Sequence, residues 1–219
     1  MVSLDTNLQR RPEREIMVQE QIVARGIRDS RVLAALRDVP RHRFVPAQYQ
    51  DAAYDDAPLP IGDGQTISQP YIVAYMTELL ELQPADRVLE VGTGSGYQAA
   101  VASRLAQEVY TIERVESFDA RVREVFHELG YTNIVCRIGD GTRGWPEAAP
   151  FEAILVTAAG RRVPQPLVEQ LAVGGRLIMP VENDRGRQVI VRMTRTSEED
   201  YAQEHFLAVA FVPLLGAFA

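Results

Sequence analysis

The residues best able to hold a reactive ligand are a glycine turn and two acids spaced downstream of it. Val88-Leu89-Glu90-Val91 is an apolar run of buried-strand type, and Gly92-Thr93-Gly94-Ser95-Gly96 follows it directly. Glycine turns the chain sharply and lets a ligand approach the backbone with no Cβ in the way. Glu113 closes the next apolar run, Val109 to Glu113, where a carboxylate can accept both hydroxyls of a ribose. Asp140-Gly141 follows the third run. An acceptor there can reach the exocyclic amine of an adenine, although an ordinary Asp-Gly turn is the simpler alternative. Just upstream of the turn, Gly62 to Pro70 is polar and turn-rich, a place where a second substrate can be staged.

The spacing of the glycines separates two ligand classes. Dinucleotide sites use G-x-G-x-x-G/A, because a pyrophosphate sits on the helix start. Here the third glycine comes one residue early and Tyr97 occupies the place of the final small residue. The G-x-G-x-G pattern suits a cofactor without phosphates, S-adenosyl-L-methionine (AdoMet). Glu90, two residues before Gly92, is placed as in many AdoMet sites. The cofactor set is therefore Glu90, Gly92, Thr93, Gly94, Ser95, Gly96, Glu113, Asp140 and Gly141.

These residues need a sheet to bring them together. Strand-like runs fall at 87–91, 108–113, 134–138, 151–157, 176–181, 188–194 and 206–214, and helix-like stretches at about 96–106, 117–129, 143–148 and 164–173 separate the first five. Phe118, Val122, Val125, Phe126 and Leu129 form one apolar stripe with Gly130 as the stop. Such alternation predicts a parallel sheet covered on both faces, and the short Thr196–Glu204 link predicts an antiparallel hairpin at its end. This is an α/β, three-layer α/β/α sandwich, a Rossmann-like seven-stranded layout that resembles AdoMet-dependent methyltransferases of class I. An N-terminal extension precedes it: a helix over about 13–26, a second short helix capped by Asp29 or Ser30 and ended by Pro40, a proline-rich loop over 40–70, and a helix from Tyr71 to Leu82. A loop of that length in a compact domain usually has a function. Residues 1–83 are read as substrate and active-site segment and 84–219 as AdoMet-binding core, packed as one unit.

Composition removes other classes. The 219 residues can bury a sizeable core, and with 46% hydrophobic and 24% charged residues the chain reads as globular. The net charge of −7 argues against non-specific nucleic-acid binding, which needs a basic face. All 23 basic residues are Arg, so lysine Schiff-base and P-loop chemistry are excluded. Cys136 stands alone and fits a reducing compartment. Met1 to Arg14 lacks the apolar core of a signal peptide, and no apolar run approaches a membrane span. A cytoplasmic protein is expected, a monomer with neither nucleic acid nor membrane as partner. His42, His127 and His205 are scattered, and no metal is expected. Cys136 and Trp145 are expected to pack.

Beyond the turn, the chain resembles the bacterial protein-L-isoaspartate O-methyltransferase family. The resemblance lies in Val39-Pro40-Arg41-His42, Phe44-Val45-Pro46, Pro58 to Gly62, Gly64-Gln65-Thr66-Ile67-Ser68-Gln69-Pro70-Tyr71 and Leu89 to Tyr97. It continues through Tyr110 to Arg114, Gly139-Asp140-Gly141, Gly144 to Glu147, Thr157-Ala158-Ala159 and Phe211-Val212-Pro213-Leu214. It implies methyl transfer from AdoMet to the α-carboxylate of L-isoaspartyl residues in damaged proteins, giving S-adenosyl-L-homocysteine and an ester that closes to a succinimide. It further implies that Ser68 is the active-site serine, that Thr66, Ile67 and Ser68 meet both substrate and cofactor, and that Val212, Pro213 and Leu214 contact the substrate backbone. Because a carboxylate is already ionised at neutral pH, Ser68 reads as a hydrogen-bonding positioner; a helix cap before Pro70 is its alternative role. Asp63 departs from the pattern and would repel a carboxylate if it pointed inward, and Arg161-Arg162 replaces a more apolar turn. A methyltransferase for another carboxylate or small molecule, and a non-catalytic AdoMet- or isoaspartyl-binding adaptor, are the alternatives.

Overall fold

A computed structural model describes residues 10–219; residues 1–9, part of the expected N-terminal segment, lie outside the described residues. Seven strands form one sheet in the order β5-β4-β3-β6-β7-β8-β9. They are β3 (Arg87–Val91), β4 (Glu108–Glu113), β5 (Ile134–Ile138), β6 (Phe151–Val156), β7 (Leu171–Glu182), β8 (Gln188–Arg195) and β9 (Tyr201–Val209). The first five pair in parallel, and β8 and β9 close the edge antiparallel.

Right-handed crossovers decide which face each helix covers. The chain moves outward from β3 through β4 to β5, so α4 (Tyr97–Ala102) and α5 (Glu116–Glu128) share one face. The same apolar cluster takes in the N-terminal α1 (Arg11–Ile16, continuing as a helical coil to Arg25), α2 (Ser30–Asp38) and α3 (Pro70–Leu80). It runs from Met17 to Ile190, with Val88, Val109, Ala153 and Leu155 as its floor. The opposite face, Leu89, Val91, Ile112, Ile154, Val156 and Met179, is covered by a thinner layer, α6 (Gln165–Glu169), two short 3₁₀ turns and Leu214.

Four expectations change. The stretch 143–148 forms 3₁₀ turns, Gly141–Arg143 and Pro146–Ala148, because Gly144 at φ 66° and Pro146 interrupt any longer helix. Helix 164–173 shrinks to Gln165–Glu169, since Leu171 already pairs with Phe151 in the sheet. Strand 176–181 accordingly extends back to Leu171. The last strand is 201–209 and not 206–214: Pro213 lacks an N–H, and the chain leaves the sheet before it to bridge Ala159. The proline-rich stretch holds 3₁₀ turns at Arg41–Phe44 and Ala47–Ala52 and a small hairpin, β1 (Leu59–Gly62) and β2 (Gln65–Ile67).

Side chains weld this extension to the sheet helices. Arg41, fully buried, donates from Nε to Ala53 O at 2.8 Å and lies 4.8 Å from the Tyr97 ring centre. His42 packs with its Nδ1 2.7 Å from the Tyr54 hydroxyl; burial, then the charges of Arg10, Arg14 and Arg43, push its pKa down to about 4, so it is neutral at pH 7. Gln98 of α4 donates to Thr77 of α3 at 2.9 Å, and Thr77 donates to Val73 O. Cys136 is half-buried, its thiol pushed up to about 11, chiefly by burial, and Trp145 packs edge-on against Tyr110. No helix among the described residues is long and apolar enough to cross a membrane.

Candidate active site

The sheet order reverses between β3 and β6, and ligands of such sheets bind outside the carboxyl ends of the strands at that crevice. A cavity open to solvent lies there, lined by the ends of the strands, the glycine turn and the β1–β2 hairpin. Its wall brings together Gly92, Thr93, Gly94, Ser95, Glu113 and Gly141 from the expected cofactor set. Thr66, Ile67, Ser68, Val212, Pro213 and Leu214 line the same cavity.

The turn is shaped by what a side chain would strike. Gly92 has φ 99°, and a Cβ there would lie 2.4 Å from Thr157 Oγ1. Thr157 in turn donates to Gly92 O at 2.7 Å, buttressing the turn from the end of β6. Gly96 is buried outside the cavity wall at φ 85°, and a Cβ there would meet Phe126 Cζ and Val122 Cγ1 at 2.9 Å. It lets α4 start against α5 and does not touch the ligand space. Gly96→Ala is expected to cost about 2–3 kcal/mol, from forced left-handed backbone and overpacking, measured as a lower denaturation midpoint.

Glu113 faces the cavity with its carboxylate fixed by three backbone donors. Oε2 accepts Gly94 N–H at 2.8 Å; Oε1 accepts the N–H of Arg114 at 2.7 Å and of Val115 at 2.8 Å. A carboxylate offers about four lone-pair sites, so acceptor capacity remains for a ribose hydroxyl. The same residue holds the glycine turn in place.

Glu90 is withdrawn from the ligand space. Its side chain is 1% exposed and absent from the cavity wall. Thr111 Oγ1 donates to its Oε2 at 2.5 Å, and the Thr93 hydroxyl lies 2.6 Å from that of Thr111. The chain Glu90–Thr111–Thr93 props the turn from beneath. Burial pushes the Glu90 pKa up to about 8, the Thr111 bond opposes this, and the charge of Glu113 adds to it. The unfolded chain loses this proton near 4.5 and the folded chain near 8. The folded state thus binds more protons between those values, and stability falls as pH rises through that window. Glu90→Gln is expected to flatten this slope and raise the midpoint at pH 8 by a few degrees, each kcal/mol being worth about 2–4 °C at this size.

Asp140 also differs from its expected placement. It sits at the edge of a neighbouring cavity with Ile112, Arg137 and Phe218, while Gly141 lines the main one. Its Oδ1 accepts Thr142 N–H at 3.0 Å and Oγ1–H at 2.6 Å, and its Oδ2 accepts Ala217 N–H at 2.9 Å. Burial works against its ionisation, but bonds from Thr142 and Ala217 and the Arg143 charge hold its pKa below the usual range.

Ser68 lines the cavity, half-buried, and its hydroxyl makes no hydrogen bond to the described residues. It is not the helix cap: Gln69 precedes α3, with no side-chain cap bond. The hairpin that carries it is tied down at its tip, where Ser117 donates to Asp63 Oδ2 at 2.6 Å. Asp63 is exposed at φ 49° and is not part of the wall, so it directs its charge away from the substrate space. Arg161 and Arg162 are exposed and also outside the wall. Val212 and Leu214 do not run as a sheet strand; Val212 O accepts Ala159 N–H at 2.8 Å and Leu214 N–H donates to Ala159 O at 2.7 Å.

Sequence reasoning missed several wall residues: Gln98, Ile112, Arg114, Val115, Thr157 and Leu215. Thr157, Arg114 and Val115 each follow the carboxyl end of a strand, a signal available in advance. Leu215 carried none. Among the described residues no group of three or more His, Cys, Asp or Glu side chains is arranged to hold a metal.

The family model for protein-L-isoaspartate(D-aspartate) O-methyltransferase matches residues 12–218. The chain belongs to this family. Among methyltransferases similar to it, the protein-L-isoaspartate O-methyltransferase 2 of Pelobacter propionicus is 56% identical over 93% of this chain and 91% of its own length. A Rhodopseudomonas palustris protein-L-isoaspartate O-methyltransferase 1 is 55% identical over 93% and 83%. Among solved structures, a Plasmodium falciparum isoaspartate methyltransferase in complex with S-adenosyl-L-homocysteine superposes with a TM-score of 0.81 at 27% identity, covering 93% of this chain and 98% of the other. The isoaspartate methyltransferase fold and use of AdoMet follow, and the cavity fits that cofactor: Gly92 and Gly94 present bare backbone to it, and Glu113 retains an acceptor site beyond its three backbone donors.

Proposed function

We propose that the main cavity is where this chain, an AdoMet-dependent protein-L-isoaspartate O-methyltransferase, brings its two substrates together. AdoMet lies along Gly92, Thr93, Gly94 and Ser95, with its ribose on Glu113 and its adenine toward Asp140 and Gly141. The isoaspartyl α-carboxylate enters between Thr66–Ser68 and Val212–Leu214. One observation carries this reading: Gly92 to Ser95, Glu113 and Gly141 line a single cavity with Thr66–Ser68 and Val212–Leu214 at the switch point of the sheet, and Asp140 borders the cavity beside it.

Bound AdoMet supplies an electrophilic methyl group on a positively charged sulfur. The substrate carboxylate is already an anion near neutral pH, so no residue has to remove a proton. The wall suits that chemistry, for among the described residues it contains neither His nor Cys. Ser68, with its hydroxyl unengaged by the described residues, donates to one carboxylate oxygen and leaves the other to attack. Thr66 and Ile67 set the approach of the hairpin to the glycine turn, where Ile61 Cδ1 would lie 3.6 Å from a Cβ on Gly94. Charge is neutralised in the transition state, so rate comes mainly from alignment and from excluding water. Glu90 acts at one remove, through Thr111 and Thr93, as a positioning residue.

The ester then leaves and closes to a succinimide without the enzyme, the backbone amide nitrogen displacing methanol from the ester carbonyl, and hydrolysis restores part of the normal aspartyl backbone. The partners are isoaspartyl-containing proteins and peptides, met by a cytoplasmic monomer without nucleic acid or membrane. Residues 1–83 serve as the substrate-facing segment and 84–219 as the cofactor core. Mass spectrometry of an isoaspartyl peptide held with enzyme and AdoMet is expected to show the ester, then the succinimide, then mixed aspartyl and isoaspartyl products. A peptide that stays unesterified contradicts the reading.

A further inference from the structure

The last residues of the chain make contacts that neither the sheet nor either apolar cluster requires. After Leu214, buried and bonded to Ala159, the backbone turns toward Asp140. Ala217 N–H donates to Asp140 Oδ2 at 2.9 Å and Phe218 N–H to Thr142 Oγ1 at 3.2 Å. Gly216 passes so close that a Cβ there would lie 2.2 Å from Asp140 Oδ1 and 2.6 Å from Thr142 Oγ1. Leu215, 54% exposed, forms part of the main cavity wall beside Leu214.

The hydrogen bonds at Asp140 leave one acceptor site over. A carboxylate has about four lone-pair sites. Two on Oδ1 are taken by Thr142 and one on Oδ2 by Ala217. Arg143 Nε stands 3.6 Å from Oδ2, too far for a hydrogen bond. One site on Oδ2 is therefore open, and its direction is set by the tail, since Ala217 and Thr142 together hold the carboxylate in one rotamer.

We propose that Gly216, Ala217 and Phe218 form a positioning element of the cofactor site, which fixes Asp140 so that its single open acceptor site reads the exocyclic amine of adenine. This rests on the functional reading above, in which that amine lies at Asp140. The tail is then a determinant of cofactor selectivity placed far along the chain from the glycine turn. Gly216 is its most sensitive position, because any side chain there displaces the tail from the carboxylate without itself entering the main cavity wall.

Calorimetric titration of the full chain with S-adenosyl-L-homocysteine and with its deamino analogue, in which hydrogen replaces the adenine amine, tests this. The unaltered protein is expected to prefer the amine-bearing ligand by about tenfold or more, the scale of a hydrogen bond to a charged group. Gly216→Val is expected to lose that preference, to about twofold or less, while binding the deamino analogue as before. Asp140→Ala is expected to lose it as well. If Asp140→Ala loses the preference and Gly216→Val keeps it, or if Gly216→Val weakens both ligands equally, the tail has no such role. If the unaltered protein shows no preference, or Asp140→Ala keeps it, the placement of adenine at Asp140 is wrong and the proposal falls with it.

Discussion

Glu113→Ala is expected to weaken S-adenosyl-L-homocysteine binding by about two to three orders of magnitude, the largest loss of affinity from any single change in the site. Two effects add. The ribose loses a charged acceptor, about 1.5–3 kcal/mol, and three backbone donors lose their partner, each a further destabilisation of the turn. The donors are the N–H groups of Gly94, Arg114 and Val115, so the variant damages the cradle as well as the contact. Glu113→Gln separates the two, since its amide oxygen can still accept from one side of the turn. An intermediate loss is expected there, read by calorimetry. Affinity within about threefold of the unaltered protein for Glu113→Ala would remove Glu113 from the cofactor site.

The second large effect is on turnover. Ser68→Ala is expected to lower kcat by about a hundredfold, in the range of one transition-state hydrogen bond in a water-excluded site, with S-adenosyl-L-homocysteine affinity changed by less than about twofold. The split follows from position. Ser68 lines the cavity from the hairpin side and touches none of the glycine turn through a hydrogen bond, so removing its oxygen leaves the cradle intact. Ser68→Thr, which keeps the hydroxyl, is expected to recover part of the rate. Full activity in Ser68→Ala would assign carboxylate positioning to another donor, with Thr66 the next hydroxyl along the same wall.

Much of the scaffold was legible because parallel sheets leave a strong signature. Strands buried on both faces read as continuous apolar runs, and β3, β4 and β6 begin and end within a residue or so of the runs that predicted them; so does the edge strand β5, where Ile134, Val135, Cys136 and Ile138 supply the apolar signal although none is fully buried. The glycine turn was legible for the same reason: few residue types tolerate φ values near 100° at Gly92 and 85° at Gly96. The edge strand was harder. Tyr201 to Val209 is mostly exposed, so only its second half carried an apolar signal, and the expected strand slid toward Pro213. The helix between β5 and β6 failed because a conformational break at Gly144 outweighed a weak apolar pattern.

In the site, legibility ended where tertiary contacts choose between two uses of one side chain. Glu90 and Glu113 are both acids at the carboxyl ends of neighbouring strands, yet one is buried against Thr111 and the other faces the cavity. Glu90 pairs with Thr111, two residues short of the level of Glu113 at the strand end, and only the structure shows the hydroxyl that engages it. Asp140 stood out in the sequence, but one of the three bonds that hold its carboxylate comes from Ala217, 77 residues further on, a contact no local pattern announces. Asp63 went the other way: a charge that threatened the substrate site is turned outward by Ser117.

The most direct test of the central claim is methyl transfer from labelled AdoMet to an isoaspartyl peptide and to its aspartyl twin, read as base-labile methanol. The isoaspartyl peptide is expected to be labelled and the twin left at background. Equal labelling of the two, or none in either, would contradict the account.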